Sequence, residues 1–214
     1  YIGSTSGLNM IINIFCGVLL NAATGIAQQV NSAIYNFVSN FQTAFNPQLI
    51  QTYSSGNLEV HRVLLSRASR ISYYLLYIIS LPVLINTSYI LHLWLKEVPD
   101  HSVAFTQLTI SFSLVEALGA PLWMSMQATG KIKTYQIIVS SINALNIPIA
   151  FVCLYQGLAV ESIFYAKILI GLLIYIFRVL YILPLINFSY MDYFKKVVYP
   201  TVAITLFTIC ILFI

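Results

Sequence analysis

Runs of about twenty mostly apolar residues follow one another along almost the whole chain, and a helix crossing a hydrocarbon layer of about 30 Å needs a run of that length. Read at that length, the sequence divides into seven candidate spans: 3–20, 23–45, 71–91, 103–127, 135–155, 162–183 and 197–214. The connections are short except for 46–70. With 59% hydrophobic and 7% charged residues and a mean hydropathy of +0.87, the chain lies outside the range of soluble domains, where about a quarter of residues are charged. The expected fold is an all-α polytopic membrane helix bundle with about seven transmembrane helices.

Charge sets the expected orientation. Arg62, Arg67 and Arg70 occupy one gap, Lys131 and Lys133 another, and Arg178, Lys195 and Lys196 a third, while the intervening gaps hold Lys96 and Lys167. Cytoplasmic loops collect Lys and Arg, so the first three groups are expected inside. Alternation then puts Tyr1 and 184–196 inside, and the segment "QGLAVES" and Ile214 outside. The net charge of +4 comes from helix ends rather than from a basic patch interleaved with aromatics, which points to membrane lipids and away from nucleic acid. In 46–70, Pro47 is expected to stop a helix and Ser55-Gly56-Asn57 to turn. Beyond them Leu58, Val60, Val63, Leu64 and Leu65 form an amphipathic stretch suited to the membrane surface, with Arg62, Arg67 and Arg70 meeting headgroup phosphates. Trp94 and many of the 15 tyrosines fall near span ends, as interfacial aromatics do.

Cys16, Cys153 and Cys210 sit in apolar runs without metal or disulfide spacing and read as small buried hydrophobes. His61, His92 and His101 lack a partner four residues away and read as interfacial residues, so no metal site is expected. No phosphate-binding loop, dinucleotide fingerprint or nucleophile elbow is present, so neither an enzyme nor a cofactor is expected. The chain opens on Tyr1 and ends in an apolar run, so it reads as a piece of a larger protein. No cleavage site follows a basic start, so its first residues read as a span rather than a signal peptide.

The second span carries an unusual polar load. Gln29, Ser32, Asn36, Asn40 and Thr43 follow helical spacing, with Gln28, Asn31, Tyr35 and Gln42 close beside them. Lipid does not accept such a face, which therefore meets water or protein. Either it lines a hydrated cavity whose amides and hydroxyls bind a polar, sugar-like cargo, or it glues helices together at about 1 kcal/mol per hydrogen-bonded pair. Glu116, near the middle of the fourth span, costs at least about 2.5 kcal/mol to insert and should face the interior. It is either a coupling site for a proton or cation, or a neutral acid hydrogen-bonded to a neighbour or touching cavity water. Pro82, Pro121 and Pro148 are expected to kink their helices, and Gly119-Ala120-Pro121 is the leading hinge candidate.

The stretch "GVLLNAATGIAQQVNSAIYNFVSNFQTAFNPQLIQTYSSGNLE" resembles the polysaccharide (oligosaccharide) flippase family of the multidrug/oligosaccharidyl-lipid/polysaccharide transporter superfamily. So do "LPVLINTSYILHLWLKEVP" and "QATGKIKTYQIIVSSINALNIPIAF". The likeness extends over nearly the whole chain and is nearest to versions from the lipopolysaccharide and capsule clusters of Bacteroidetes-like bacteria. It implies a two-lobed transporter of the bacterial cytoplasmic (inner) membrane. Residues 1–183 would be the six-helix second lobe, 184–214 a cytoplasmic loop and the start of a trailing helix pair, and an N-terminal lobe of the same protein the partner. The implied cargo is an undecaprenyl-diphosphate-linked oligosaccharide, moved by alternating access, with H+ or Na+ as coupling ion in some members. The implied substrate path is Gln29, Ser32, Asn36, Asn40, Thr43 and Glu116. Relatives often meet the diphosphate with cavity cations; here Arg178 and the loop-edge Arg67, Arg70, Lys131 and Lys133 are the candidates. A cation-coupled multidrug exporter is the alternative within the superfamily. A membrane glycosyltransferase or polysaccharide polymerase is the alternative outside it, and would place catalytic groups in a larger outer loop.

Overall fold

A computed structural model describes residues 2–212, without the side chains of 2–6, 9, 16 and 212, so the expectations for Tyr1, Cys16, Phe213 and Ile214 lie outside the described residues. Every regular element among the described residues is helical. They are α1 (Ile2–Ser54), α2 (Leu58–Ile85), α3 (Thr87–Trp94), α4 (Ser102–Thr129), α5 (Ile132–Ala144), α6 (Asn146–Tyr155), α7 (Glu161–Leu185), α8 (Tyr190–Tyr193), a π-helical turn (Phe194–Val198) and α9 (Tyr199–Leu212). Five stretches among them are long and apolar enough to cross a membrane: 58–85, 102–129, 132–155, 161–185 and 190–211. The chain thus has the build of a helical membrane bundle.

The first two expected spans lie within α1, which is broken at Gly17 (φ 82°, ψ 177°) rather than at residues 21–22. Leu8 and Asn36 line one cavity, although a straight helix would hold them about 42 Å apart, so the chain bends sharply at Gly17. Only glycine adopts that backbone region readily. Gly17→Ala is therefore expected to destabilise the fold by about 1–3 kcal/mol, although a Cβ there would meet nothing within 4 Å. Denaturant titration of the full-length protein measures the change.

Pro47 does not end α1. Two turns of contacts beyond it hold the helix: Leu49 is fully buried beside Leu65, Leu122 and Met126, and the Thr52 hydroxyl donates to the Gln48 carbonyl at 2.9 Å. The chain turns at Gly56 (φ 73°), and the Asn57 side chain caps α2 by accepting from the Val60 amide at 3.2 Å. From there α2 runs unbroken to Ile85, so the expected surface stretch is the first part of a spanning helix. Neither Gly nor Pro interrupts it before Pro82, and Leu65, Ser66, Ala68 and Ser69 are buried against the bundle.

The prolines act unequally. Pro148 has no amide hydrogen for the Ala144 carbonyl, and the helix breaks there into α5 and α6, where the Leu145 amide reaches back to Ile142 at 3.2 Å. The expected third span is split at Asn86, whose amide bonds to the Pro82 carbonyl. By contrast α4 passes through Pro121 as one helix, so Gly119-Ala120-Pro121 forms no break. The expected loop 184–196 is helical from Tyr190 onward, because Tyr193 and Val197 sink into the same core as Leu49 and Leu183. Cys210 is exposed on α9 and Cys153 only half-buried, which corrects their reading as buried residues.

At the centre stands α4, packed against α1, α2 and α7. Two cores differ in texture. One gathers Tyr135, Tyr193, Phe188, Met126 and Leu49; the other, near the α4 and α7 N-termini, relies on Ala23, Ala27 and Ala150 beside Phe105 and Phe164. The second lies beside the site.

Candidate functional site: a polar cavity with an internal charge ladder

At 100° per residue, the polar side chains of α1 fall into two rows. Asn31 and Gln42 continue the buried row of Ala23, Ala27, Ile34 and Val38, and the Gln42 amide points at the Ala117 carbonyl of α4, 3.5 Å away. Gln42 thus does the work of interhelical packing, whereas Asn31, its Oδ1 buried without a hydrogen-bond partner, lines the second of two cavities. Gln28, Gln29, Ser32 and Asn36 instead line an open cavity of about 630 Å³, bordered also by Thr109 of α4 and by Ile163, Phe164 and Lys167 of α7. A second cavity of about 360 Å³ shares Gln28, Ser32, Asn36, Thr109 and Lys167 with the first and extends to Asn31, Tyr35, Phe112, Ser113 and Glu116. The two form one continuous hollow in which amides and hydroxyls are set among apolar groups such as Leu8, Ile12, Ile163 and Phe164. Asn40 and Thr43, expected in the same wall, are exposed beyond it, and the Thr43 hydroxyl donates to its own helix at Ser39 (2.8 Å).

Lys167 is the principal residue that sequence reasoning misplaced. Counting charges by gaps put it in an outer loop, but it lies about 9 Å inside α7, where it faces both cavities. Its ammonium stands over the Phe112 ring, 4.6 Å from the centroid. Arg178, counted with a loop by its charge but within the expected span 162–183, is also inside α7, eleven residues further along and so on nearly the same face. Between them a gap of about 50 Å³ is lined by Glu116, Lys167 and Arg178 together with Phe112, Asn143 and Asn146. Cation, acid and cation thus follow one another along the α4–α7 seam. The signal available in sequence was the pair Lys167 and Arg178 at helical spacing within an unbroken apolar run.

Two glycines let the seam close. A Cβ on Gly171 would stand 2.8 Å from the Phe112 ring, and one on Gly119 would stand 2.8 Å from an Arg178 guanidinium nitrogen. Gly119 lies one turn beyond Glu116, so it serves to seat Arg178 against α4. The Arg178 Nε is buried without a hydrogen-bond partner. A further hollow of about 220 Å³ brings Arg178 together with Trp123, Tyr135, Gln136 and Ser140.

The structure places the other expected cations elsewhere. Arg67, Lys131 and Lys133 are exposed and Arg70 half-buried, and none of the four lines these cavities. They lie in the first half of α2 and at the start of α5, away from the hollow. His61, expected at an interface, is fully buried: its Nε2 meets the Ser125 hydroxyl at 2.7 Å and its Nδ1 the Leu49 carbonyl at 3.1 Å. His101 pairs with Glu161, tying the starts of α4 and α7 together. Among the described residues no three His, Cys, Asp or Glu side chains are grouped as a metal site would require.

No protein-family model, no curated protein and no solved structure matches this chain. The geometry of the hollow carries the functional argument.

Proposed function

We propose that the chain is one lobe of a membrane transporter, a flippase that carries an undecaprenyl-diphosphate-linked oligosaccharide across the bacterial cytoplasmic membrane. The observation that carries this reading is the hollow itself: amides and hydroxyls on one wall and a single ammonium group, Lys167, on the other. Sugars are recognised by uncharged donors and acceptors, and a phosphate ester by a cation set in a low-dielectric surround. A multidrug exporter would favour an apolar, aromatic and acidic cavity. These walls hold Tyr35, Phe112, Phe164 and Glu116 as well, and it is the amides of Gln28, Gln29, Asn31 and Asn36 beside Lys167 that favour the sugar-phosphate reading. The proposed task is movement without covalent chemistry.

With Lys167 and Arg178 assigned to α7, the remaining basic residues mark one side of the membrane still more sharply. Arg62, Arg67, Arg70, Lys131, Lys133, Lys195 and Lys196 belong to it, against Lys96 on the other. The proposed orientation puts that basic side in the cytoplasm and opens the hollow toward the outer half of the bilayer. The exposed row of α1 through Asn40 and Thr43 then faces a companion lobe across the transport path.

Accessibility tests this reading. In the full-length protein, Asn36→Cys is expected to react with a membrane-impermeant thiol reagent and to be protected by added cargo, while Ala27→Cys, fully buried, stays inert. An unreactive Asn36→Cys would remove the hydrated path.

A further inference from the structure

We propose that Glu116 is the resident counter-ion of Lys167, and that a phosphate ester entering the hollow takes its place, leaving the Glu116 carboxylate to Arg178. The inference deepens the reading above and rests on a phosphate-bearing cargo; it assigns Glu116 a competitive role in place of proton carriage.

Geometry supplies the argument. Glu116 and Lys167 line the same two spaces, the 360 Å³ hollow and the small gap behind it. Across an apolar seam an ammonium and a carboxylate that share a wall attract each other, and removing either leaves the other to bear its desolvation cost alone. An anion arriving from the 630 Å³ cavity meets Lys167 first, since Lys167 faces all three spaces while Glu116 faces only the inner two. The gap of about 50 Å³ is too small for a phosphate ester, so the ligand stays on the hollow side while the carboxylate withdraws behind it.

The withdrawal has a destination. The guanidinium of Arg178 is seated against α4 at Gly119, one turn from Glu116, and its buried Nε has a donor to spare. Moving the carboxylate from the ammonium to the guanidinium shifts negative charge along the α4–α7 seam without leaving a buried charge unmatched. Cargo binding is thereby linked to the packing of two helices, through Phe112, which holds the ammonium on one side and abuts Gly171 on the other. Glu116 is a positioning residue in this scheme, and its presence keeps phosphate affinity low enough for release.

The test uses the full-length protein in lipid nanodiscs with inorganic pyrophosphate as probe, read by calorimetry. Glu116→Gln removes the competitor and is expected to bind pyrophosphate about tenfold more tightly than the wild type. The gain is expected to vanish in the Glu116→Gln, Lys167→Gln double variant, and Glu116→Asp is expected to stay near the wild type. Glu116→Ala replaces the glutamine variant where that one does not fold. In vesicle transport, Glu116→Gln is expected to lower KM and kcat together, a split that loss of packing alone does not produce. Unchanged or weaker pyrophosphate binding by Glu116→Gln overturns the proposal, as does a gain that survives loss of Lys167. Pyrophosphate binding in the expected order, with no turnover of lipid-linked oligosaccharide by the wild type, removes the cargo and keeps the counter-ion; turnover without the tightening does the reverse.

Discussion

Lys167→Ala is expected to raise the apparent KM for a diphosphate-linked cargo by about ten- to a hundredfold, the equivalent of a charge-assisted hydrogen bond of about 1.5–3 kcal/mol. Of the residues lining the two connected cavities, Lys167 is the cation, and it stands where their walls coincide. No neighbouring ammonium or guanidinium in those walls can substitute for it. Lys167→Arg keeps the charge and the stacking on Phe112 and is expected to retain most of the affinity. The effect should fall on KM first, because the contact is made as soon as cargo enters. Initial rates in vesicles against cargo concentration measure it, and an unaltered KM in Lys167→Ala would exclude Lys167 as the phosphate contact.

His61→Ala is expected to cost the bundle about 3 kcal/mol or more, the largest stability effect among these single changes. The imidazole joins three helices: Nδ1 faces the carbonyl of Leu49 and the hydroxyl of Thr52 on α1, and Nε2 faces the Ser125 hydroxyl on α4. A carbonyl only accepts, so Nδ1 carries the proton, and in the neutral ring Nε2 accepts from Ser125. Truncation strands buried partners on both neighbouring helices and opens a void beside Leu65 and Leu122. His61→Gln, which offers a donor and an acceptor in similar space, is expected to recover part of the loss. Denaturant-induced unfolding in mild detergent distinguishes the two. Equal stability of His61→Ala and the wild type would show that the three-helix junction is held by its apolar contacts alone.

Those two residues also show how far the sequence could be read. Apolar run length located α4 and α7 to within two residues, because a hydrocarbon layer imposes its thickness on any spanning helix. The same measure failed at Pro47, where burial of Leu49 carries α1 past a residue that usually ends helices. The polar period of α1 was legible, but only the position of α4 separates the packed Gln42 from the cavity-lining Asn31, Ser32 and Asn36. Lys167 was hidden by a rule that reads a cation as a loop marker. His61 was hidden because its partners are 9, 12 and 64 residues away, on other helices and beyond the spacing of a helical turn. Glu116 was recognised as an interior acid, and what sequence omitted was the company of Lys167 and Arg178.

The two cores of unequal texture bear on how such a lobe can move. Around Met126 and Leu49 the helices interlock through large side chains and the His61 junction, whereas beside the hollow Ala23, Ala27 and Ala150 share the core with larger residues such as Phe105 and Phe164. Displacement is therefore expected to take the form of a fan spreading from that pivot, not of rods sliding past one another. For a 28-residue helix such as α4, about 42 Å long, a tilt of about 5° about the pivot carries the far end sideways by about 4 Å. That exceeds the breadth of a water molecule, so a change of angle too small to disturb the pivot is enough to wet or seal the mouth of the hollow.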